Sequence, residues 1–341
     1  MSVNITQTDN EIITWAKRQL AFGKPFCVYA FFHEHINTKK EKLICCESTI
    51  PITEQRAVEI RTEILQERPV PECETCYIKE RNKSISARQF FLRDFLRQPD
   101  TIVNSIRQHL DGKTPDKYSY DLRYSNLCNL ECIMCGEDYS SSLARARGID
   151  NPILNYEIED FDINPEVRRI YFAGGEPFMI KSYVRLLERV TNLDCEVIVN
   201  TNCTILTEPL MAQLDRFKRS CFFVSIEGYG EVNEHIRKNS IWYILEDNLK
   251  TLIKRYGSDK ITVNTVVQRG NVNHLYELGK FLEDVQVGDW KLDIIESPHA
   301  LQISRHTDIK FDPRLLELPM IKNNVGNMLE IQRIQEYAKK T

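Results

Sequence analysis

The sequence predicts an α/β protein: a mostly parallel sheet with crossover helices, preceded by a smaller α+β region. Two patterns lead there. From residue 113 onward, short β-branched or aromatic runs alternate with helix-sized stretches, which implies parallel pairing of the strands. Before that point the chain reads as a hairpin and three helical stretches, with cysteines gathered around them. The expected divisions are residues 1–112, residues 113–310 and a C-terminal extension at 311–341.

Composition narrows the class. The 341 residues are 42% hydrophobic and 28% charged, as in a globular protein large enough for more than one core. A formal charge of −4 leaves no footprint for polyanions, so nucleic acid is not an expected partner. Residues 1–6 show neither the basic nor the apolar region of a leader, and no run approaches the ~18 apolar residues of a membrane helix. A cytoplasmic location without membrane attachment is expected. Eleven cysteines in such a chain point to metal or redox roles for the clustered ones.

In order, residues 11–22 have the spacing of an amphipathic helix, with Ile12, Ile13, Trp15, Ala16 and Leu20 as its apolar set. Residues 26–36 and 41–46 read as the two strands of a hairpin turning through Asn37-Thr38-Lys39-Lys40. His33 and His35 alternate on one face of that hairpin and read as packed or solvated rather than ligating. Residues 54–67 are helical, Pro69-Val70-Pro71 breaks the helix, and Cys73-Glu74-Thr75-Cys76 follows. The hairpin would bring Cys27 to Cys45 or Cys46, and Cys73 and Cys76 would complete a set of four sulfurs. Such a set suits zinc and an iron–sulfur cluster alike. Residues 89–109 read as one helix, with Phe90, Phe91, Phe95, Leu96, Ile102, Val103 and Ile106 towards the core.

Strands are expected at residues 118–124, 167–172, 195–200, 221–226, 261–267 and 290–295. Helices at 180–190, 208–217, 241–256 and 272–284 fall between them. The first strand runs into Cys128-Asn129-Leu130-Glu131-Cys132-Ile133-Met134-Cys135, a C-x3-C-x2-C loop with no fourth cysteine before Cys195. Three thiolates on a cubane cluster leave one iron open to chemistry. A zinc site with a distant fourth ligand is the alternative on spacing alone.

Further polar motifs sit at strand ends, where parallel barrels collect their chemistry. Gly174-Gly175-Glu176-Pro177 follows the second strand, and its glycines permit close approach or positive φ. Asn200-Thr201-Asn202-Cys203 ends the third, Ser225-Ile226-Glu227-Gly228 ends the fourth with Arg237 beyond it, and Asn264 and Gln268 mark the fifth.

Together these motifs resemble the radical S-adenosylmethionine (SAM) enzymes. The C-x3-C-x2-C loop matches that family's signature, and the resemblance implies a partial (β/α)6 barrel. It implies a [4Fe–4S] cluster on Cys128, Cys132 and Cys135, with SAM chelated at the open iron. Gly174, Gly175, Glu176 and Pro177 match the GGEP motif, in which Glu176 would receive the methionyl ammonium group. Asn202 would lie beside the cofactor, Met134 near its adenine, and Ser225 and Arg237 at its ribose or carboxylate. Two departures stand out: Cys203 occupies a usual glycine position, and Glu227 a usual aspartate. The hairpin with Cys73 and Cys76, and the stretch through Glu80, Ser84 and Arg88, resemble the Twitch or SPASM module. There Cys27, Cys45 or Cys46, Cys73 and Cys76 would hold an auxiliary [4Fe–4S] cluster. In relatives this module follows the barrel; its position ahead of the barrel resembles N-terminal-Twitch radical SAM proteins.

The activity so implied is reductive cleavage of SAM to a 5′-deoxyadenosyl radical that abstracts hydrogen from a peptide or protein. A donor such as flavodoxin or ferredoxin would supply the electron. Alternatives are the same chemistry on a small metabolite, a non-catalytic iron–sulfur carrier or redox sensor, and a zinc-stabilised interaction protein.

Overall fold

The computed structural model describes residues 7–150, 161–305 and 308–339, so the reading of residues 1–6 lies outside the described residues. The chain divides into two compact units: Met1–Leu122 with Phe161–Tyr171, and Arg123–Asp160 with Phe172–Thr341.

The first unit opens with α1 (Asp9–Arg18), started by a capping box in which Thr8 and Glu11 exchange hydrogen bonds. The expected first strand of the hairpin is corrected here. Its front half forms a short helix, α2 (Tyr29–Phe32), and only β1 (His33–Ile36) pairs antiparallel with β2 (Lys42–Leu43). The reason lies in burial: Phe26, Tyr29, Phe31 and Phe32 are all enclosed, and a continuous apolar run carries no periodicity to separate strand from helix. The turn is built by Asn37, whose side-chain oxygen accepts from the Lys39 and Glu41 amides, while Lys40 takes a φ of 62°.

Helices α3 (Glu54–Leu65) and α4 (Glu74–Arg81) follow. The single helix expected over residues 89–109 is two, α5 (Ala87–Phe95) and α6 (Pro99–Leu110). Pro99 lacks the amide to continue a helix and instead begins a new one. Phe90 is also corrected, since it is 52% exposed, whereas Phe95, Ile102, Val103 and Ile106 join the core around Phe26 and Phe32.

β3 (Ser119–Leu122) then pairs parallel with β1, a pairing absent from the sequence reading. It seats His33 opposite Ser119 and His35 opposite Asp121, so both histidines are buried and packed. The second unit contributes β4 (Glu131–Cys132) and α7 (Ser141–Ala146). β5 (Arg169–Phe172), all but Phe172 in the first unit, lies beside β3, giving the strand order β5-β3-β1-β2 there.

The second unit continues with α8 (Lys181–Arg189), β6 (Glu196–Thr201), α9 (Glu208–Leu214), β7 (Arg219–Ser225), α10 (Glu231–Ile236) and β8 (Arg237–Lys238). It is completed by α11 (Trp242–Tyr256), β9 (Ile261–Val267), α12 (Leu275–Asp284), β10 (Asp289–Ile294), α13 (Pro319–Lys322) and α14 (Val325–Ala338). Its strands run β10-β9-β7-β6, all parallel, with the expected helices between them. All six strands expected from residue 113 onward are present within two residues of a reading based on pattern alone.

The end of the second unit carries helices that the sequence pattern did not predict, α13 and α14. From α14, Asn327 accepts from the Leu292 amide at 2.9 Å and donates to the Trp290 carbonyl at 2.5 Å. It thereby satisfies backbone groups along β10, the outer strand of this set. Among the described residues no helix is long and apolar enough to cross a membrane.

Candidate functional site

The three-cysteine loop is held by its neighbours' backbones. The Gly175 amide donates to the Ser125 carbonyl at 2.8 Å, and the Glu176 amide to the Leu127 carbonyl at 2.7 Å. These contacts explain the paired glycines. A Cβ on Gly175 would stand 2.1 Å from the Leu127 oxygen, and one on Gly174, whose φ is +111°, 2.7 Å from that of Ser125. The close approach is therefore to the cysteine loop itself. From the other side Ser140 Oγ donates to the Leu130 carbonyl, and the Cys135 amide closes a turn on the Cys132 carbonyl. That turn displays half-buried Met134, and Pro177 starts the short 3-10 helix after Glu176.

The Cys128, Cys132 and Cys135 thiols share one environment. Burial pushes Cys128 up to about 11 and Cys135 to about 12, with the other two sulfurs adding to the rise at Cys135. Burial also raises Cys132, against which Arg237 acts. Without metal these groups are thiols at neutral pH, and loading must release their protons. Three soft sulfur donors on one short loop fit a cluster corner. Among the described residues no three His, Cys, Asp or Glu side chains converge as ligands of a single ion. A cluster makes no such demand, because each cysteine binds a different iron.

Glu176 is buried, and its carboxylate is engaged by protein donors. It accepts from Thr201 Oγ1 at 2.7 Å, the Asn202 amide at 2.7 Å and the Phe178 amide at 3.2 Å. It thus fixes the end of β6. Asn202 Nδ2 in turn donates to Asn129 Oδ1 at 3.0 Å and stands 3.9 Å from the Cys128 sulfur. Thr204 completes the link, donating to Asn202 and accepting from Asn129. Cys203, in the usual glycine position, takes a φ of 58°, the left-handed region a glycine would favour.

Burial drives the Glu176 pKa up to about 7 despite those donors. The folded-state value lies above the unfolded one, so this carboxyl leaves stability intact below about pH 4.5. It withdraws stability as pH rises towards 7, by up to ~3 kcal/mol. In the metal-free chain, Glu176→Gln should flatten the decline in urea midpoint between pH 5 and 7. An unchanged pH slope would place the titration elsewhere.

Spacing singles out Arg237 but gives no sign of what holds it. β4 and β8 form a two-stranded antiparallel pair that sets Cys132 opposite Arg237. The guanidinium donates to Glu227 Oε1 from Nη2 at 2.6 Å and Nε at 3.2 Å, and Nη1 lies 3.7 Å from the Cys132 sulfur. Burial would lower the Arg237 pKa, but the Glu227 carboxylate together with the Cys132 and Cys135 sulfurs outweighs it, while burial raises the Glu227 pKa against the pull of Arg237. Ser225 stands opposite Asn264 in the β7–β9 register, with its Oγ 3.5 Å from Asn200 Oδ1. Gln268 is fully buried just past β9.

The remaining cysteines considered as ligands lie in the first unit. Cys27, Cys45, Cys73 and Cys76 are all buried, and Cys46 is half-buried. Burial raises Cys45, Cys73 and Cys76, the last to about 12; at Cys45 the other four thiols add to it. A buried ion pair braces the approach to Cys27. Glu80 binds Arg88 through both oxygens at 2.8 Å, and also holds Ser86 Oγ and the Gly23 amide. Arg88 donates to the Gln19, Ala21 and Phe26 carbonyls, the last immediately before Cys27. No disulfide joins any of the eleven cysteines.

The span from Leu122 into α12 thus carries the three cysteines, the glycine pair, Asn202, Ser225 and Arg237. Residues 122–282 match the Radical SAM superfamily. That superfamily is enzymatic and implies a [4Fe–4S] cluster and SAM. No curated protein matches the chain. Among solved structures it is similar to Streptococcus suis SuiB bound to S-adenosylmethionine, at 14% identity and TM-score 0.43, over 85% of this chain and 64% of that one. It is also similar to SuiB bound to precursor peptide SuiA, at 15% and 0.39, over 85% and 63%. A third likeness is to hexahistidine-tagged anSMEcpe with bound AdoMet, at 17% and 0.44, over 60% and 58%. The chain therefore spans less than two thirds of those proteins. At TM-scores below 0.5 these likenesses carry no argument about the site.

Proposed function

We propose that this chain is a radical SAM enzyme whose cluster is held by Cys128, Cys132 and Cys135 in a partial (β/α)6 barrel. The observation that carries this is the glycine pair seated against the backbone of the three-cysteine loop. It joins the two motifs into one site. When bound, the cluster and SAM would supply one-electron cleavage and a 5′-deoxyadenosyl radical for hydrogen abstraction.

The chain's own residues do the rest. The Ser125–Leu127 backbone and the glycine pair hold the thiols in place. Glu176 fixes Asn202 against Cys128, and its remaining lone pair capacity would receive the ammonium of SAM. Ser225 and the edge of Arg237 not taken up by Glu227 would meet its ribose or carboxylate, and Met134 would pack near its adenine. An electron donor of the flavodoxin or ferredoxin kind supplies the electron, and a cytoplasmic peptide or protein is the substrate.

The first unit is a Twitch-like module whose Cys27, Cys45, Cys73 and Cys76 hold an auxiliary [4Fe–4S] cluster. Anaerobic reconstitution with iron and sulfide analysis tests both sites at once. Two cubane clusters give roughly eight irons per chain, and replacing Cys128, Cys132 and Cys135 together by Ala should leave roughly four. Stoichiometric zinc in that variant would instead make the first unit a zinc site.

A further inference from the structure

We propose that Arg237 sets the reduction potential of the cluster on Cys128, Cys132 and Cys135, by donating an N–H to the Cys132 sulfur while Glu227 holds its guanidinium in place. This rests on the proposed function. The geometry is specific. β4 and β8 are two residues each, and their register puts Cys132 directly opposite Arg237. Nη1 lies 3.7 Å from Cys132 Sγ, within hydrogen-bond reach of sulfur. The Arg237 side chain is 11% exposed and that of Glu227 0%, so solvent screens the arrangement little.

Glu227 cannot swing away. Its Oε2 accepts the Val266 amide at 2.7 Å, its own amide donates to Asn233 Oδ1 at 2.9 Å, and its carbonyl accepts from Asn271 Nδ2 at 2.8 Å. Two of the guanidinium nitrogens are thereby committed to Glu227 Oε1, and the third is left facing sulfur.

A reduced cluster carries one more negative charge than an oxidised one. A donor on a ligand sulfur stabilises the reduced form more and raises the potential. The Glu227 carboxylate acts in the opposite sense. Arg237 is therefore a positioning and tuning group, and the two partners pull the potential apart. A merely structural ion pair predicts no such opposition, since either loss would loosen the β4–β8 pair alike.

The test is a redox titration of the reconstituted full chain, followed at the EPR signal that changes when SAM is added. Glu227→Gln keeps the N–H donor but removes the anion, and should raise the midpoint. Arg237→Lys keeps the charge but cannot span both partners, and should lower it. Each shift should correspond to about a tenfold change in the reduction equilibrium, or about 59 mV for one electron. Unchanged midpoints, or shifts in the same direction, overturn the proposal while leaving the cluster assignment standing. If Arg237→Lys fails to load a cluster, the direction given by Glu227→Gln decides alone. A parent chain with no reducible cluster overturns the proposed function, and this inference with it.

Discussion

Gly175→Ala is expected to abolish cluster loading at the three-cysteine site, although it adds a single methyl group. The added Cβ would stand 2.1 Å from the Leu127 carbonyl oxygen and 2.8 Å from the Asn126 carbonyl carbon. Both are backbone atoms, so no side chain can rotate away. Either the Gly175–Ser125 and Glu176–Leu127 hydrogen bonds break, or the loop bearing Cys128 moves. Overpacking of this kind costs about 1–3 kcal/mol or more, and here the strain falls on the ligand loop. SAM-dependent turnover should fall by at least ~100-fold, the equivalent of about 2.7 kcal/mol. Iron should drop from roughly eight to roughly four per chain, with the first unit's complement retained. Full iron and turnover in this variant would show that the glycine pair does not support the site.

The second large effect is expected from Arg88→Met in the first unit. Arg88 and Glu80 are each about 1% exposed, so removing the cation leaves a buried carboxylate without its partner. Breaking a buried pair from one side costs roughly 3–5 kcal/mol. The carbonyls of Gln19, Ala21 and Phe26 also lose their donor. The chain leading to Cys27 should loosen, and iron should again fall to roughly four, this time with SAM cleavage retained. Adding Glu80→Gln should recover part of the stability by removing the buried charge. Urea unfolding of the metal-free variants measures this, and equal midpoints for parent and Arg88→Met would contradict it.

Much of this architecture was legible because it is written in local patterns. Ile261–Val267 alternates enclosed and half-enclosed residues, and the helices between strands keep their apolar spacing. What failed to show was decided by distant partners. Nothing local distinguishes Tyr29–Phe32 as a helix, because every residue there is buried. Pro99 is a local sign of a helix start, masked by apolar spacing that continues on either side. Asn327 reads as an ordinary polar residue until β10 lies against it.

The candidate site divides in the same way. Its cysteines, glycines and Arg237 are named by spacing. Glu227 was visible only as a departure from the usual aspartate. Its partner lies ten residues on, and Cys132 far back along the chain, so only the fold reveals the clasp. Cys203 is the converse: an unexpected residue whose backbone still takes the positive φ expected of glycine.

The central claim is tested most directly by incubating the anaerobically reconstituted, reduced chain with SAM and measuring 5′-deoxyadenosine and methionine. The parent chain should form both, slowly even without its substrate. The variant with Cys128, Cys132 and Cys135 replaced together by Ala should form neither. Formation of 5′-deoxyadenosine by that variant at the parent's rate would contradict the account.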